Sequence, residues 1–204
     1  MPPTATAPAP AGNRLARAAT GLLAPAQAVA YIVAVTAAHS AGSAPQAVLW
    51  GLQAALFGAV VPAGFIAAGV RRGWWEDRHV RDGRKRRWPL LVCLASTAAG
   101  TAVGAALGGP RDLVVLGAVM CAVALVLWVF TDPLRTKPSV HTLIAVIASG
   151  VSAVYLGAAG AAAALPLTAL VAWSRLRLRH HTPPQVLGGA LIGAAASLLF
   201  TLLR

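Results

Sequence analysis

The 204-residue chain is 58% hydrophobic and 11% charged, with a mean hydropathy of +0.72. A soluble domain carries about 25% charged residues, so this composition excludes one. The formal net charge of +12 has no soluble basic domain to carry it, which argues against nucleic-acid binding and for attraction to anionic membrane lipids.

Apolar runs long enough to cross a hydrocarbon core of about 30 Å recur along the chain, and strand alternation is absent. The fold class is all-α: a multi-pass transmembrane helical bundle of six or seven spans, seven being preferred. Residues 1–18 are rich in Pro, Ala and Thr and read as a disordered N-terminal tail. Residues 19–204 read as a single transmembrane domain. Spans are expected over 19–38, 47–70, 89–108, 113–131, 141–158, 160–174 and 185–203. The first is longer than the apolar core of a signal peptide and is kept as a span. Gly157-Ala158-Ala159-Gly160 reads as a tight turn between two short helices, and Pro166 should kink the sixth span.

Under this reading 15 of the 17 Lys and Arg residues fall on one side of the membrane, with Arg111 and Arg204 opposite. The inside-positive bias makes the basic side cytoplasmic, in the plasma membrane. Trp74, Trp75 and Trp88 flank the basic block that ends at Arg87, as interfacial anchors do. His39 and His79 read as interfacial. Gly100, Gly104 and Gly108, and again Gly189 and Gly193, recur every four residues, a spacing that lets helix backbones approach closely in lipid. Cys93 and Cys121 lie inside spans without paired spacing and read as packing residues. The acidic residues Glu76, Asp77, Asp82, Asp112 and Asp132 form no diphosphate–magnesium motif, so neither a metal nor another cofactor is expected.

Polar residues gather at the span edges, where they are costly without a task. Lys137-Pro138-Ser139-Val140-His141 opens the fifth span, and Ser174-Arg175 followed by His181 closes the sixth. Histidine exchanges protons near neutral pH and arginine clamps phosphate oxygens through a planar fork, so the set points to phosphate chemistry.

Together these residues resemble the membrane-bound type 2 phosphatidic acid phosphatase superfamily. Its pattern is Lys, six residues and Arg-Pro; then Pro-Ser-Gly-His; then Ser-Arg, five residues, His, three residues and Asp. Here Arg81 and Trp88-Pro89 stand at the first element, and Pro138-Ser139-Val140-His141 at the second. Ser174-Arg175, His181 and Gln185 stand at the third, with its internal spacing kept. The resemblance implies His181 as the nucleophile that takes the phosphoryl group and His141 as the acid that protonates the leaving oxygen. It implies phosphate binding by Arg81, Ser139, Ser174 and Arg175, with Arg87 and Lys137 as additional cations. The implied substrate is a lipid phosphate or diphosphate, of prenyl or phosphatidate type.

Four positions depart from the pattern. Gln185 replaces the aspartate that orients the histidine, Trp88 an arginine, Val140 a glycine and Arg81 a lysine. In a serine protease triad the comparable carboxylate-to-amide change costs about 10⁴ in rate. Several of these residues also have a purely architectural use. Thr182-Pro183-Pro184-Gln185 has the form of a helix start with a capping box, and Ser139 can cap the helix that follows it. Two alternatives therefore stand beside hydrolysis. One is a catalytically degenerate member that binds a lipid or a partner; the other uses a prenyl diphosphate as leaving group in transfer or cyclisation.

Overall fold

The computed structural model describes residues 11–75, 83–131 and 133–204. Eight α-helices carry them: α1 (Ala11–Leu22), α2 (Pro25–Ser40), α3 (Ala44–Ala55), α4 (Val61–Arg71), α5 (Gly83–Ala106), α6 (Arg111–Thr131), α7 (Val140–Arg177) and α8 (Pro183–Leu203). A π-helical turn, Leu56–Val60, joins α3 to α4, so that Ala44–Arg71 is one continuous apolar helix. The architecture is all-helical, as expected.

The N-terminus departs from the expected plan. Helix α1 begins at Ala11, inside the stretch that composition assigns to a tail, and the span expected as one helix over 19–38 is two. Ala24 is extended ahead of Pro25, which takes the first position of α2, where its missing N–H costs nothing. The resulting bend of 47° turns α1 away from the axis of α2.

Among the described residues five helices are long and apolar enough to cross a membrane, or up to six when the bent α1–α2 pair is counted as one span. Helix α7 supplies two crossings. Its 38 residues would reach about 57 Å if straight, nearly twice the hydrocarbon thickness. Instead, the Thr168 hydroxyl donates to the Ala145 carbonyl at 2.9 Å and lies 2.8 Å from Ser149 Oγ, so the two limbs run side by side. The reversal is at Gly157, with φ 64° and ψ −153°, a conformation open to glycine alone. This is the turn expected at 157–160; counting the two limbs of α7 separately and the bent α1–α2 pair as one span gives up to seven passes. Pro166 does not break the second limb; Gly157 holds the only non-helical dihedrals of α7.

The core forms where α2, α6, the first limb of α7 and α8 meet, around Ile32, Leu116, Leu143, Ile147, Val151 and Phe200. The glycine spacing works there as a packing device. A methyl group on Gly189 would lie 2.4 Å from the Ser139 carbonyl, and one on Gly193 would lie 2.6 Å from that of Leu143. Helix α8 therefore packs backbone against backbone on α7, with Leu187, Leu191, Leu198 and Leu202 exposed on its outer face. Gly100 likewise makes room for Phe57 and accepts a hydrogen bond from Gln53 Nε2 at 2.8 Å.

Trp74 and Trp88 are exposed, in keeping with an interfacial position, but Trp75 is not. It is buried over Gly69, and its indole N–H donates to the Ile66 carbonyl at 3.0 Å, closing the end of α4. At the opposite end of the bundle Asp112 accepts from Tyr155 Oη at 2.6 Å and pairs with Arg204 at 3.7 Å. His39 stacks on the Tyr155 ring there.

Candidate functional site

The end of α7 is folded back by its own backbone. Leu178 N–H donates to the Ser174 carbonyl, Arg179 N–H to that of Leu176, and His180 N–H to that of Arg175. This is a helix C-terminal motif with a left-handed residue just past the cap, usually a glycine and here Arg179 at φ 54°. The reversal returns His181 to Arg175, whose carbonyl also accepts from the His181 N–H at 3.4 Å.

Helix α8 then starts at Pro183, with Thr182 extended before it. The Gln185 side chain serves two neighbours. Its Oε1 accepts from the Thr182 backbone N–H at 3.1 Å and lies 3.2 Å from His181 Nδ1. Because a backbone N–H can only donate, the atom of Gln185 at this junction is its oxygen. Nδ1 of His181 is then the protonated nitrogen, and Nε2 carries the ring lone pair.

The second motif is tied to the third by backbone. Ser139 N–H donates to the Gln185 carbonyl at 2.9 Å, and Ser139 Oγ caps α7 by accepting from Thr142 N–H and Thr142 Oγ1. His141, in the first turn of α7, is 9% exposed; His181 is 8% and Arg175 3% exposed. His141, Arg175, His180 and His181 all line one cavity.

Ser139 and Ser174 are fully buried behind that wall rather than on it. Ser174 Oγ donates to the Val171 carbonyl and meets Thr20 Oγ1 at 3.1 Å. Thr20 also receives Arg175 Nη1 at 3.4 Å. Arg87 is exposed with its guanidinium 5.2 Å from the centre of the Trp88 ring, and it does not line the cavity. Lys137 is half-buried in the loop before α7, while Arg81 lies outside the described residues, as do His79, Glu76, Asp77, Asp82 and Asp132.

The cavity measures about 1240 Å³. Beyond the three histidines, Arg175 and Arg17 its wall is mainly apolar, running along α6 from Thr131 to Leu113, a rise of about 27 Å. Trp50, Gln53 and Gly109 line its far end. A second, polar hollow of about 650 Å³ is lined by Asn13, Arg17, Arg177, Leu178, Arg179 and His180, and it shares Arg17, Leu178 and His180 with the first. Among the described residues no three His, Cys, Asp or Glu side chains come together.

The model of the PAP2 superfamily matches residues 54–204, the stretch that holds all three motif elements. The chain belongs to the PAP2 superfamily. No curated protein and no solved structure compared with it matches. For a PAP2 protein the general function is of phosphatase type, on lipid phosphates. The match leaves out α1, α2 and most of α3, yet Arg17, Thr20, Trp50 and Gln53 from that region stand at the site or in its cavity. Sequence reasoning missed Thr20 and Arg17. Their one signal was a threonine one helical turn after an arginine at the entrance of the first span.

Proposed function

We propose that this PAP2 protein hydrolyses a lipid phosphate or diphosphate through a phosphohistidine on His181, at the cytoplasmic face of the plasma membrane. Nε2 of His181 attacks phosphorus while the lipid oxygen leaves, and His141 donates the proton that oxygen needs. Water then attacks the phosphohistidine, His141 takes up the proton of the water, and phosphate departs with His181 restored. Arg175 neutralises the equatorial oxygens, which is most of what phosphoryl transfer asks of a protein. Arg81 joins it by analogy with the superfamily pattern.

One observation carries this reading: His141, Arg175 and His181 line one end of a cavity whose remaining wall is mostly apolar. A phosphate on a hydrocarbon tail has the matching polarity. The length of about 27 Å exceeds the roughly 15 Å that a tail occupies in one leaflet, half of the hydrocarbon core. That favours a long prenyl-type tail over acyl chains. The cytoplasmic assignment rests on the 15 basic residues of the motif side.

The neutral Gln185 beside His181 supports a second reading, a member that binds lipid phosphate without turning it over. Purified protein in detergent, without added metal, separates the two against a panel of prenyl diphosphates and phosphatidate. Phosphate release that disappears in His181→Ala and His141→Ala supports hydrolysis, whereas binding without release supports the second reading. Diphosphate release accompanied by a transferred or cyclised prenyl group would point instead to leaving-group chemistry.

A further inference from the structure

Helix α1 lies outside the part of the chain that matches the superfamily, yet it is built into the site. Its small residues Ala16 and Ala19, with Thr20, are buried, and Thr20 Oγ1 holds both Ser174 Oγ and Arg175 Nη1. Gly12 lets the Arg177 guanidinium approach to within 3.5 Å of where a side chain would begin. The break before Pro25 allows this docking, because a straight extension of α2 would not follow the same course.

Arg17 stands one helical turn before Thr20, on the ridge between the two hollows, and lines both. Arg17 is exposed. The single described carboxylate, Asp112, is engaged with Tyr155 and Arg204 at the other end of the bundle. The described wall of the cavity thus contains two guanidinium groups, Arg175 from α7 and Arg17 from α1.

Building on the reading of this cavity as a phosphoryl-transfer site, we infer that Arg17 is a second phosphate ligand and that α1 is part of the active site. Arg175, held by Thr20, grips the phosphate from within. Arg17 closes on it from the solvent side and neutralises the charge that spreads over the transferring oxygens. The polar hollow with Arg177, Arg179 and Asn13 continues outward from Arg17 and offers released phosphate a basic path to water.

The test compares the full-length protein with Arg17→Ala, Arg17→Lys and Arg14→Ala in detergent. Arg14 is exposed on the same helix and lines neither hollow, so it controls for loss of charge alone. Orthovanadate affinity, read from the shift in melting temperature, does not require turnover. Arg17→Ala should weaken it about tenfold or more, the scale of a charge-assisted hydrogen bond. Arg17→Lys should recover part of the loss, and Arg14→Ala should leave affinity unchanged. With a substrate that the wild type hydrolyses, Arg17→Ala should lower kcat by about 100-fold, short of the full effect of an arginine finger. Equal orthovanadate affinity in the wild type and Arg17→Ala overturns the inference, as does an equal loss in Arg14→Ala or the absence of any orthovanadate response. A wild type that binds orthovanadate through Arg17 but releases no phosphate from any lipid instead overturns the hydrolytic reading and leaves the Arg17 ligand standing.

Discussion

Oε1 of Gln185 lies 3.2 Å from Nδ1 of His181 and 3.1 Å from the Thr182 backbone N–H, so one amide oxygen both caps α8 and orients the candidate nucleophile. The architectural and the catalytic uses of Gln185 are therefore the same contact. An amide oxygen can hold the tautomer, but it adds no charge to stabilise an imidazolium. Gln185→Glu keeps the reach and the capping box and supplies that charge. Turnover should rise by about tenfold or more, bounded by the roughly 10⁴ that a triad loses in the reverse change. Gln185→Asp, one methylene shorter, should give a smaller gain, and Gln185→Ala should lose activity and some stability together. Steady-state phosphate release with melting temperatures checks all three, and a folded Gln185→Glu without any gain would mean that the amide itself is used.

Gly189 tests whether the junction of the second and third motifs matters for chemistry. A Cβ there would lie 2.4 Å from the Ser139 carbonyl, so α8 must shift to accept Gly189→Val. The shift strains the bond from Ser139 N–H to the Gln185 carbonyl, which links the helix carrying His141 to the one following His181. Overpacking of this kind costs about 1–3 kcal/mol. The variant should remain in the membrane fraction with a lowered melting temperature and lose most of its phosphate release. Gly188→Val, next to it with open space at its Cβ position, should do neither.

The position of the motif histidines at helix ends, the turn at Gly157 and the Gly189–Gly193 packing face were legible because each depends on residues near in sequence, whereas of the expected Gly100–Gly104–Gly108 face only Gly100 makes a close approach and Gly108 lies past the end of α5 at φ 73°. A helix cap, a positive φ and a four-residue spacing all leave local marks. The bend before Pro25 and the docking of α1 on α7 were not legible. A run of alanines around Thr20 looks the same whether it faces lipid, a neighbouring helix or an arginine, and only the packing of α1 against Ser174 decides. Trp75 was misplaced for a related reason. An aromatic near a basic block fits an interfacial anchor, and nothing local announces that Gly69 leaves a seat for its ring. Arg87 is the converse case: proximity in sequence suggested a phosphate donor, but its guanidinium lies over Trp88.

Arg179 should be a site of stored strain. It holds the left-handed position after α7 with φ 54°, a conformation costing an L-residue with a side chain about 1–2 kcal/mol. Glycine removes that cost but gains entropy when unfolded, which takes back roughly 0.4–1 kcal/mol. Arg179→Gly should therefore be neutral to stabilising by about 1 kcal/mol, whereas Arg179→Val should destabilise. Thermal unfolding of the two proteins in one detergent tests the ordering, and an Arg179→Gly protein less stable than Arg179→Val would show that the arginine side chain outweighs its backbone.

The orientation of the bundle is the remaining lever on function, because it decides which pool of lipid phosphate the site meets. With the α1–α2 pair and each limb of α7 counted as one pass, α5, α7 and α8 begin at one end, and the turn between α2 and α3 lies at the other. The basic residues gather at the motif end, and the reading proposed above, by the bias of membrane insertion, takes that end as cytoplasmic. Ser43, exposed at the start of α3, and Gly83, at the start of α5, mark the two ends. With Cys93 and Cys121 replaced, a membrane-impermeant thiol reagent applied to intact cells should label Ser43→Cys and spare Gly83→Cys. Permeabilised cells should label both. Labelling of Gly83→Cys alone from outside would invert the bundle, moving the site to the outer face and its substrates to the outer leaflet.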